Sequence, residues 1–163
     1  AITGVVNAVY NQANMVLVVL DNSTTAMTGH QPHPGTGRTV MGEIVQKINI
    51  EQVLRGIGVT EIETINPLEL EASVSCVKRM AEKSGVRAII FKAPCIAVTK
   101  PKAPLHVDQD SCIGCKKCIR DLGCPTIVMN DGKICIDASM CTGCHLCSQV
   151  CPVCAIAGGD DHE

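Results

Sequence analysis

Short hydrophobic runs alternate with amphipathic stretches through the first hundred positions of this 163-residue chain. Residues 15–20 and 86–91 are almost continuously apolar, a pattern typical of strands buried in a parallel sheet. A third strand is predicted at 59–65. Residues 5–9, with three valines, predict the end of a helix before the first strand. The alternation of strands with helical stretches predicts a parallel α/β sheet.

The two helices predicted between these strands begin with capping residues. In the first helix, Asn49 is the predicted cap, Gln52 is placed to complete a capping box, and Gly58 ends the helix. The second helix is predicted to begin within residues 66–69, with Asn as the cap, Pro at the first position and Glu at the third. Its predicted apolar stripe consists of Leu70, Val74, Val77 and Ala81.

A long polar segment follows the first strand. Residues 21–37 are rich in hydroxyl groups, Gly and Pro, and they are too many for a simple connection. Ligands of open α/β sheets bind beyond the carboxyl ends of strands. Hydroxyl, amide and backbone groups suit a diphosphate with its Mg²⁺, because Mg²⁺ prefers oxygen ligands. An ordinary solvated loop would have the same composition, so both interpretations stay open.

The last third of the chain contains two runs of cysteines, each closed by Cys-Pro. They are Cys112, Cys115, Cys118 and Cys124, then Cys141, Cys144, Cys147 and Cys151. This is the spacing with which bacterial ferredoxins bind [4Fe–4S] clusters, and in two-cluster ferredoxins the fourth cysteine ligates the other cluster. We therefore predict that Cys151 completes the first set and Cys124 the second. Zinc and disulfides are the alternatives, and the triple runs fit both poorly.

An internal repeat supports two clusters. A shift of 29 residues carries 107–108 onto 136–137 and Cys112 onto Cys141, and it predicts a pseudo-twofold module. The first run has two extra residues before its fourth cysteine. The shift aligns Cys135 with His106, so we do not predict Cys135 as a ligand, whereas Cys154 is a possible substitute for Cys151. The remaining thiols, Cys76 and Cys95, are predicted to be buried and structural.

Composition narrows the classes of partner. Twelve cysteines without a secretion signal favour a reducing cytoplasm, in which thiolates bind metal. The only aromatic residues are Tyr10 and Phe91, so we expect no nucleic-acid partner. No apolar run reaches membrane-spanning length, so we expect no membrane partner. Residues 104–163 have four Lys or Arg against eight Asp or Glu, which suits an electron-transfer partner and equally suits simple solubility.

The loop at 21–35, DNSTTAMTGHQPHPG, precedes Pro94-Cys95 and the two cysteine runs. In this order, these features resemble the alpha-subunit family of indolepyruvate ferredoxin oxidoreductases, and the resemblance covers the whole chain. It implies an incomplete α/β parallel-sheet segment of the thiamine diphosphate-binding type at 1–98, which is the C-terminal part of that domain. A linker at 99–104 and a small α+β ferredoxin-like domain with two [4Fe–4S] clusters at 105–163 follow.

The resemblance also implies a cofactor site in the loop. The implied diphosphate-binding residues are Asp21, Asn22, Ser23, Thr24, Thr25, Thr28 and Gly29. Asn22 would offer its side-chain oxygen and Thr24 its backbone carbonyl to Mg²⁺. His30 and His33 are the candidate catalytic residues, as proton donors or substrate contacts, although both could instead hold loop carbonyls. The family's Gly-Asp element and pyrimidine domain are absent, so we expect the chain to be a fragment of a longer protein.

The implied function is the oxidative decarboxylation of a 2-oxoacid, indolepyruvate or another arylpyruvate, to an acyl-CoA. Coenzyme A takes the acyl group, and the two clusters pass electrons to an external ferredoxin. A beta subunit is the implied partner. The alternative is a dicluster electron carrier joined to an α/β docking domain. The loop at 21–37 favours the enzyme, because a docking domain does not need a hydroxyl-rich loop at the carboxyl end of a strand.

Overall fold

The structure, a computed structural model, describes residues 1–29 and 31–158. These residues belong to two compact units, which span Ala1–Thr99 and Lys100–Glu163. The predicted domains at 1–98 and 105–163 and the linker at 99–104 remain predictions, because compact units do not define where a domain ends. Among the described residues, no helix is both long enough and apolar enough to cross a bilayer.

The first unit is a three-stranded parallel sheet with helices on both faces. Its elements are α1 (Ile2–Tyr10), β1 (Met15–Asp21), α2 (Ile50–Ile57), β2 (Glu61–Ile65), α3 (Leu70–Glu82) and β3 (Val86–Lys92). The strand order is β1-β3-β2, and Ile89 of β3 is in register with Val18 and Glu63. This arrangement confirms the predicted parallel α/β segment.

The core of the first unit lies on both faces of β3. On one face, Ala88 and Ile90 pack with Val5 of α1 and Leu54 of α2. On the other face, Ile89 packs with Cys76 and Met80 of α3. Successive residues of a strand point to opposite faces, so a central strand covered on both sides is apolar at most of its covered positions, and Arg87 is the buried exception in β3.

The prediction that β1 is buried was wrong in part. Val18 is 49% exposed and Leu20 is 76% exposed. β1 is at the edge of the sheet, and α3 packs on β3 and β2. The face of β1 that carries Val18 and Leu20 is therefore open toward the carboxyl end of the strand, although Val16 on that face packs against the core beneath α3. On the other face, Leu17 and Val19 pack against the core formed with α1 and α2.

Asn49 and Gly58 were predicted correctly as the caps of α2, whereas the described residues show only one of the two hydrogen bonds of the predicted capping box. The Asn49 side-chain oxygen accepts a hydrogen bond from the Gln52 N–H at 3.1 Å, so it satisfies a backbone donor in the first turn. Gly58 ends the helix with φ of 106°, a left-handed conformation that favours glycine. This local chemistry fixes the start of α2 at the carboxyl edge of the sheet.

The predicted start and buried face of α3 were wrong. Residues 66–69 form a turn instead of the first helical turn, because the Glu69 N–H donates to the Asn66 carbonyl at 3.1 Å. The predicted stripe is not the buried one, since Val74 and Val77 are exposed. The buried face carries Ser73, Cys76 and Met80. A serine and a cysteine do not stand out as apolar positions, so the pattern pointed to the wrong face.

The two thiols of the first unit differ in burial. Cys76 is fully buried, as predicted. Cys95, which was also predicted to be buried, is only half-buried after the end of β3. Its backbone N–H donates to the Asn22 carbonyl at 2.9 Å, so this residue is held to the loop after β1.

Arg87 of β3 is a buried cation that holds backbone carbonyls. It is 4% exposed, and its Nε donates to the Met80 carbonyl at 2.9 Å. Its Nη1 donates to the Asn14 side chain and to the Gly85 carbonyl. The guanidinium therefore satisfies polar groups at the end of α3, where a cation is also favoured by the helix dipole.

We expect Arg87→Met to destabilise the first unit by about 1–3 kcal/mol, because the carbonyl of the buried Met80 loses its guanidinium donor. Native-state hydrogen exchange of the β3 amides measures this loss as faster exchange. Arg38→Met, at an exposed position, is the matched control and should leave exchange unchanged. Equal protection of β3 in both variants would contradict the role of Arg87.

The second unit consists of short elements arranged as two similar halves. They are β4 (Leu105–Val107), α4 (Lys117–Leu122), β5 (Ile127–Asn130), β6 (Lys133–Ile136), α5 (Leu146–Val150) and β7 (Ile156–Gly158). β4 pairs with β7 and β5 pairs with β6, both antiparallel. The 29-residue shift carries the first residue of α4 onto the first residue of α5. It also carries the first residue of β5 onto the first residue of β7. This is the predicted small α+β ferredoxin-like module.

Equivalent hydrogen bonds show the pseudo-twofold symmetry. The Cys112 N–H donates to the Asp108 carbonyl and the Cys141 N–H to the Asp137 carbonyl, both at 3.0 Å. The Asp108 N–H donates to the Ala155 carbonyl and the Asp137 N–H donates to the Thr126 carbonyl, both at 2.8 Å. The two extra residues before Cys124 are balanced by two extra residues after Cys151, so β5 and β7 keep equivalent positions.

Candidate functional site

A cavity in the second unit is lined by four thiols and by apolar side chains. The thiols are those of Cys112, Cys115, Cys118 and Cys151. The remaining lining residues are Val107, Ile113, Ile134, Pro152, Val153, Ala155 and Ile156. The structure thus places the fourth cysteine of the second run beside the first run. This is the set predicted for the first cluster.

The second set of thiols is brought together around Cys147. Burial, together with smaller contributions from the nearby thiols of Cys144, Cys141 and Cys124, raises the pKa of the Cys147 thiol to about 11. Burial also raises the pKa of Cys118, with smaller contributions from Cys115 and Cys151. Each buried thiol is therefore influenced by the fourth cysteine of the opposite run. The ligand assignment itself remains a prediction.

The residues around the first cavity fit a cluster. Four thiols placed around a cavity suit a [4Fe–4S] cubane, because each thiolate binds a different iron. The Ala155 N–H donates to the Cys151 sulfur at 3.3 Å, and hydrogen bonds of this kind tune cluster potentials. In residues 1–29 and 31–158, no three Cys, His, Asp or Glu side chains are grouped as ligands of a single metal ion.

The two cluster loops have the same backbone shape. Gly114 and Gly143 have φ of 65° and 67°, and Lys116 and His145 have φ of 60° and 61°. Equivalent left-handed residues turn each loop so that it leads into its short helix. The other two cysteines of this unit lie elsewhere: Cys135 is half-buried in β6, and Cys154 is exposed. Neither lines the first cavity.

The loop after β1 begins with a compact polar turn. The Ser23 N–H donates to the Asp21 carboxylate at 3.0 Å, and the Thr24 N–H donates to the Asn22 side-chain oxygen at 3.2 Å. The Asp21 carbonyl accepts from the Ala93 N–H at 3.1 Å, which ties the turn to the end of β3. Local hydrogen bonds and the neighbouring strand therefore fix the backbone at the carboxyl edge of the sheet.

Asp21 and Asn22 border a cavity of about 260 Å³ at this edge, together with Leu20, Pro67, Ser73, Phe91 and Ala93. An amide oxygen has two lone pairs, so Asn22 can accept from Thr24 and still bind a cation. Mg²⁺ prefers such oxygen ligands. The position and chemistry of Asn22 thus fit the predicted Mg²⁺ and diphosphate site, which remains a prediction.

The rest of the predicted loop site is arranged separately. Thr25 forms a β-bridge with Gln31, and the Thr28 hydroxyl lies 3.2 Å from the Gln31 side-chain oxygen. Gly29 turns the chain with φ of 93°. Only Asp21 and Asn22 of the predicted set line the cavity beside β1, whereas the other five do not: Ser23, Thr24, Thr25, Thr28 and Gly29. The structure therefore does not gather all seven predicted cofactor-binding residues in one cavity.

Of the two candidate catalytic histidines, the structure describes only His33. His30 lies outside the described residues. The His33 Nδ1 accepts a hydrogen bond from the Gly35 N–H at 3.1 Å, so the neutral ring carries its proton on Nε2. This contact stabilises the loop, but it differs from the stated alternative in which His33 holds a loop carbonyl, because the ring accepts from a backbone N–H. The backbone contact uses Nδ1 and leaves Nε2–H for another partner. His33 also lines a groove at the same edge of the sheet, separate from the cavity beside Asn22.

The groove that His33 lines contains lysines that the sequence patterns did not single out. It has a volume of about 420 Å³ and lies along the start of α2 and the ends of β2 and β3. Its lining includes Asp21, His33, Lys47 and Lys92. Lys92 Nζ lies 3.8 Å from the Asp21 carboxylate because the two residues are in register on neighbouring strands. No local motif marks Lys47 or Lys92, since only the folded sheet places them near residue 21.

Comparison with known families identifies the first unit. Residues 1–91, more than half of the chain, match the family described as thiamine pyrophosphate enzyme, C-terminal TPP binding domain. The chain belongs to this family. Residues 105–152 match the 4Fe-4S dicluster domain. The predicted thiamine diphosphate and the two [4Fe–4S] clusters are therefore confirmed as the cofactors of the matched domains.

Curated relatives match almost the whole chain. The relative from Methanothermobacter thermautotrophicus, named Indolepyruvate oxidoreductase subunit IorA, is 44% identical over 93% of this chain and 25% of its own length. Proteins with the same name from Archaeoglobus fulgidus and Pyrococcus horikoshii are 39% and 36% identical over 90% of this chain, and 25% and 24% of their own lengths. No solved structure matches.

The predicted resemblance to indolepyruvate oxidoreductases is confirmed by these relatives. The chain spans about a quarter of the length of the relatives it matches. The word "subunit" in their names indicates that those proteins assemble with a further chain. The cavity beside Asn22 in the first unit and the thiol-lined cavity in the second unit are thus two separate candidate sites.

Proposed function

We propose that this chain is part of a thiamine diphosphate-dependent oxidoreductase that converts indolepyruvate or another arylpyruvate to an acyl-CoA. The observation that carries the proposal is the combination of two domains in one chain. One has Asn22 beside a cavity at the carboxyl edge of a thiamine pyrophosphate-type sheet. The other surrounds a cavity with four thiols. Bound thiamine diphosphate supplies the carbanion chemistry, and the protein supplies position and electrostatics.

The loop residues bind and orient the cofactor. Asn22 offers its side-chain oxygen to Mg²⁺, and the Thr24 N–H keeps that oxygen in place through its 3.2 Å hydrogen bond. The Thr24 carbonyl is the second predicted ligand. Asp21 to Gly29 provide hydroxyl and backbone groups for the diphosphate. His33, with its proton on Nε2, is a hydrogen-bond donor toward substrate, and His30 remains a candidate for the same role.

The cluster domain carries electrons away from the oxidation, because each cluster accepts one electron at a time. A beta subunit, an external ferredoxin, the 2-oxoacid and coenzyme A are the proposed partners. The relatives' printed names support a multi-subunit indolepyruvate oxidoreductase. Twelve free thiols suit a reducing cytoplasm as the location. Membership of the thiamine pyrophosphate enzyme family argues against a bare electron carrier with a docking domain.

The test uses calorimetry and activity together. We expect thiamine diphosphate with Mg²⁺ to bind weakly to the 163-residue chain, since the family resemblance places another Mg²⁺ ligand and the pyrimidine pocket outside it. Clear binding is expected for the whole protein. There, Asn22→Ala should reduce indolepyruvate-dependent ferredoxin reduction by at least about 100-fold and leave the cluster spectra unchanged.

Asn11→Ala is the matched control, because Asn11 is exposed at the end of α1, and this variant should keep full activity. Tight cofactor binding by the 163-residue chain alone would show that the site is misplaced. An active Asn22→Ala enzyme would remove the loop from the proposed site.

A further inference from the structure

The two cluster loops are structural repeats, but they differ in charge. Residues 104–163 contain four Lys or Arg, and three of them, Lys116, Lys117 and Arg120, lie together at the first loop and α4. The 29-residue shift places His145, Leu146 and Gln149 at the equivalent positions of the second loop. Residues 141–150 contain no Lys, Arg, Asp or Glu. A domain that is acidic as a whole thus has a local basic surface at one of its two cluster loops.

The loops also differ in exposure. In the first loop, Ile113 is 65% exposed, and residues 114–117 are exposed as well. The equivalent residues of the second loop, 142–146, are half-buried or buried. Backbone shape does not explain the difference, because the two loops have the same left-handed residues.

The chain itself covers the second loop. The Lys102 N–H donates to the Thr142 carbonyl at 3.2 Å, so residues 102–103 lie against this loop. A Cβ atom added to Gly143 would come within 2.6 Å of the Ala103 carbonyl oxygen. At Gly114, a Cβ atom would meet nothing within 4 Å. The first loop is therefore the open one within the described part of this unit.

The cations of the first loop are held close to the cluster cavity. The Arg120 Nη2 donates to the Cys115 carbonyl at 3.3 Å, which fixes the guanidinium beside the loop. Lys117 Nζ lies 4.0 Å from the Asp121 carboxylate, and both side chains are about half exposed. Asp121 offsets one of the three positive charges, so residues 113–121 carry three cationic side chains against one carboxylate. The exposed Ile113 side chain adds an apolar group to this surface.

We propose that Ile113, Lys116, Lys117 and Arg120 form the docking surface for an acidic iron–sulfur electron carrier, which makes the first cluster the exit point for electrons. The inference rests on the proposed function, in which electrons leave this chain for a carrier protein. An exposed apolar group with surrounding cations suits a transient complex, because charge complementarity speeds and orients the encounter. A [4Fe–4S] cluster bound by the first set of cysteines would supply the single electron that the oxidised centre of the carrier accepts.

The test measures binding and not turnover. The chain with its clusters loaded anaerobically is titrated by calorimetry with an acidic ferredoxin that contains gallium in place of iron, so no electron transfer occurs. At low ionic strength, Lys116→Glu should weaken binding at least about tenfold, and the difference should shrink in high salt. Lys116→Arg keeps the charge and should bind within about twofold of the natural chain.

Lys78→Glu is the matched control, because it makes the same change in net charge at an exposed position of α3. At about 0.1 M ionic strength, where long-range charge is largely screened, this variant should bind within about twofold of the natural chain, because Lys78 is not part of the proposed docking surface. Carbodiimide cross-linking should join carboxylates of the probe to Lys116 or Lys117. Cluster absorption confirms that all variants are equally loaded.

Equal weakening by Lys78→Glu and Lys116→Glu, or no effect of either, would overturn the proposal. Cross-links to Lys100 or Lys102 would also overturn it, because they would place the carrier at the second loop. The outcome is separate from that of the Asn22 experiment, since docking requires neither thiamine diphosphate nor a 2-oxoacid. If the carrier does not bind, the proposed decarboxylation is unaffected. If Asn22→Ala stays active, the binding measured at the docking surface is unaffected.

Discussion

Cys124→Ser is expected to remove the cluster that the second run binds, although Cys124 belongs to the first run. Cys151→Ser is expected to remove the other one. The structure supports this crossed arrangement, because Cys151 lines a cavity with Cys112, Cys115 and Cys118. The nearby Cys124 thiol raises the pKa of Cys147, which places it with the second set. A serine oxygen is a poor substitute for thiolate as a cluster ligand.

Iron analysis and paramagnetic resonance of the reduced protein measure the loss. The natural chain should contain about eight irons and eight acid-labile sulfides, and each variant about half of these. Cys135→Ser and Cys154→Ser are matched controls and should keep both cluster signals. Loss of a signal in Cys135→Ser would show that the ligand assignment is wrong. Two zinc ions without acid-labile sulfide would show that the module does not bind clusters.

Gly143→Ala is expected to prevent assembly of the second cluster, whereas Gly114→Ala should be tolerated. Both glycines have a positive φ, so alanine has a similar backbone cost of about 1 kcal/mol at either position. At Gly143, the added methyl group would also lie 2.6 Å from the Ala103 carbonyl oxygen and 2.7 Å from Lys102 Cβ. Neither group is the far end of a flexible side chain, so the loop or the segment that covers it must move.

Resonance spectra of the reduced variants separate the two outcomes. Gly143→Ala should keep the first cluster signal and lose the second, and Gly114→Ala should keep both. Equal behaviour of the two variants would mean that residues 102–103 do not constrain the second loop. The same pair of variants tests the difference in exposure on which the docking surface depends, without changing any charge.

Elements that depend on local chemistry were determined by the sequence alone. α2 begins after Asn49 and ends at Gly58 as predicted, because a side-chain cap and a left-handed glycine act within one turn of the helix. The nearly unbroken apolar run of β3 predicted a buried strand, since a strand covered on both faces must be apolar on both. The cysteine spacing and the 29-residue repeat predicted the pseudo-twofold module for a similar reason. Ligand geometry restricts which positions along the chain are cysteine.

Only the tertiary structure decided which faces are covered. The pattern of β1 resembles that of β3, but β1 is an edge strand and leaves Leu20 exposed. In α3, contact with the sheet buries Ser73 and Cys76 instead of the more apolar Val74 and Val77. The cover of residues 102–103 over Gly143 distinguishes two loops with the same spacing. In each case burial depends on packing against a segment that is distant in sequence. The local pattern of residues does not indicate which segment that is.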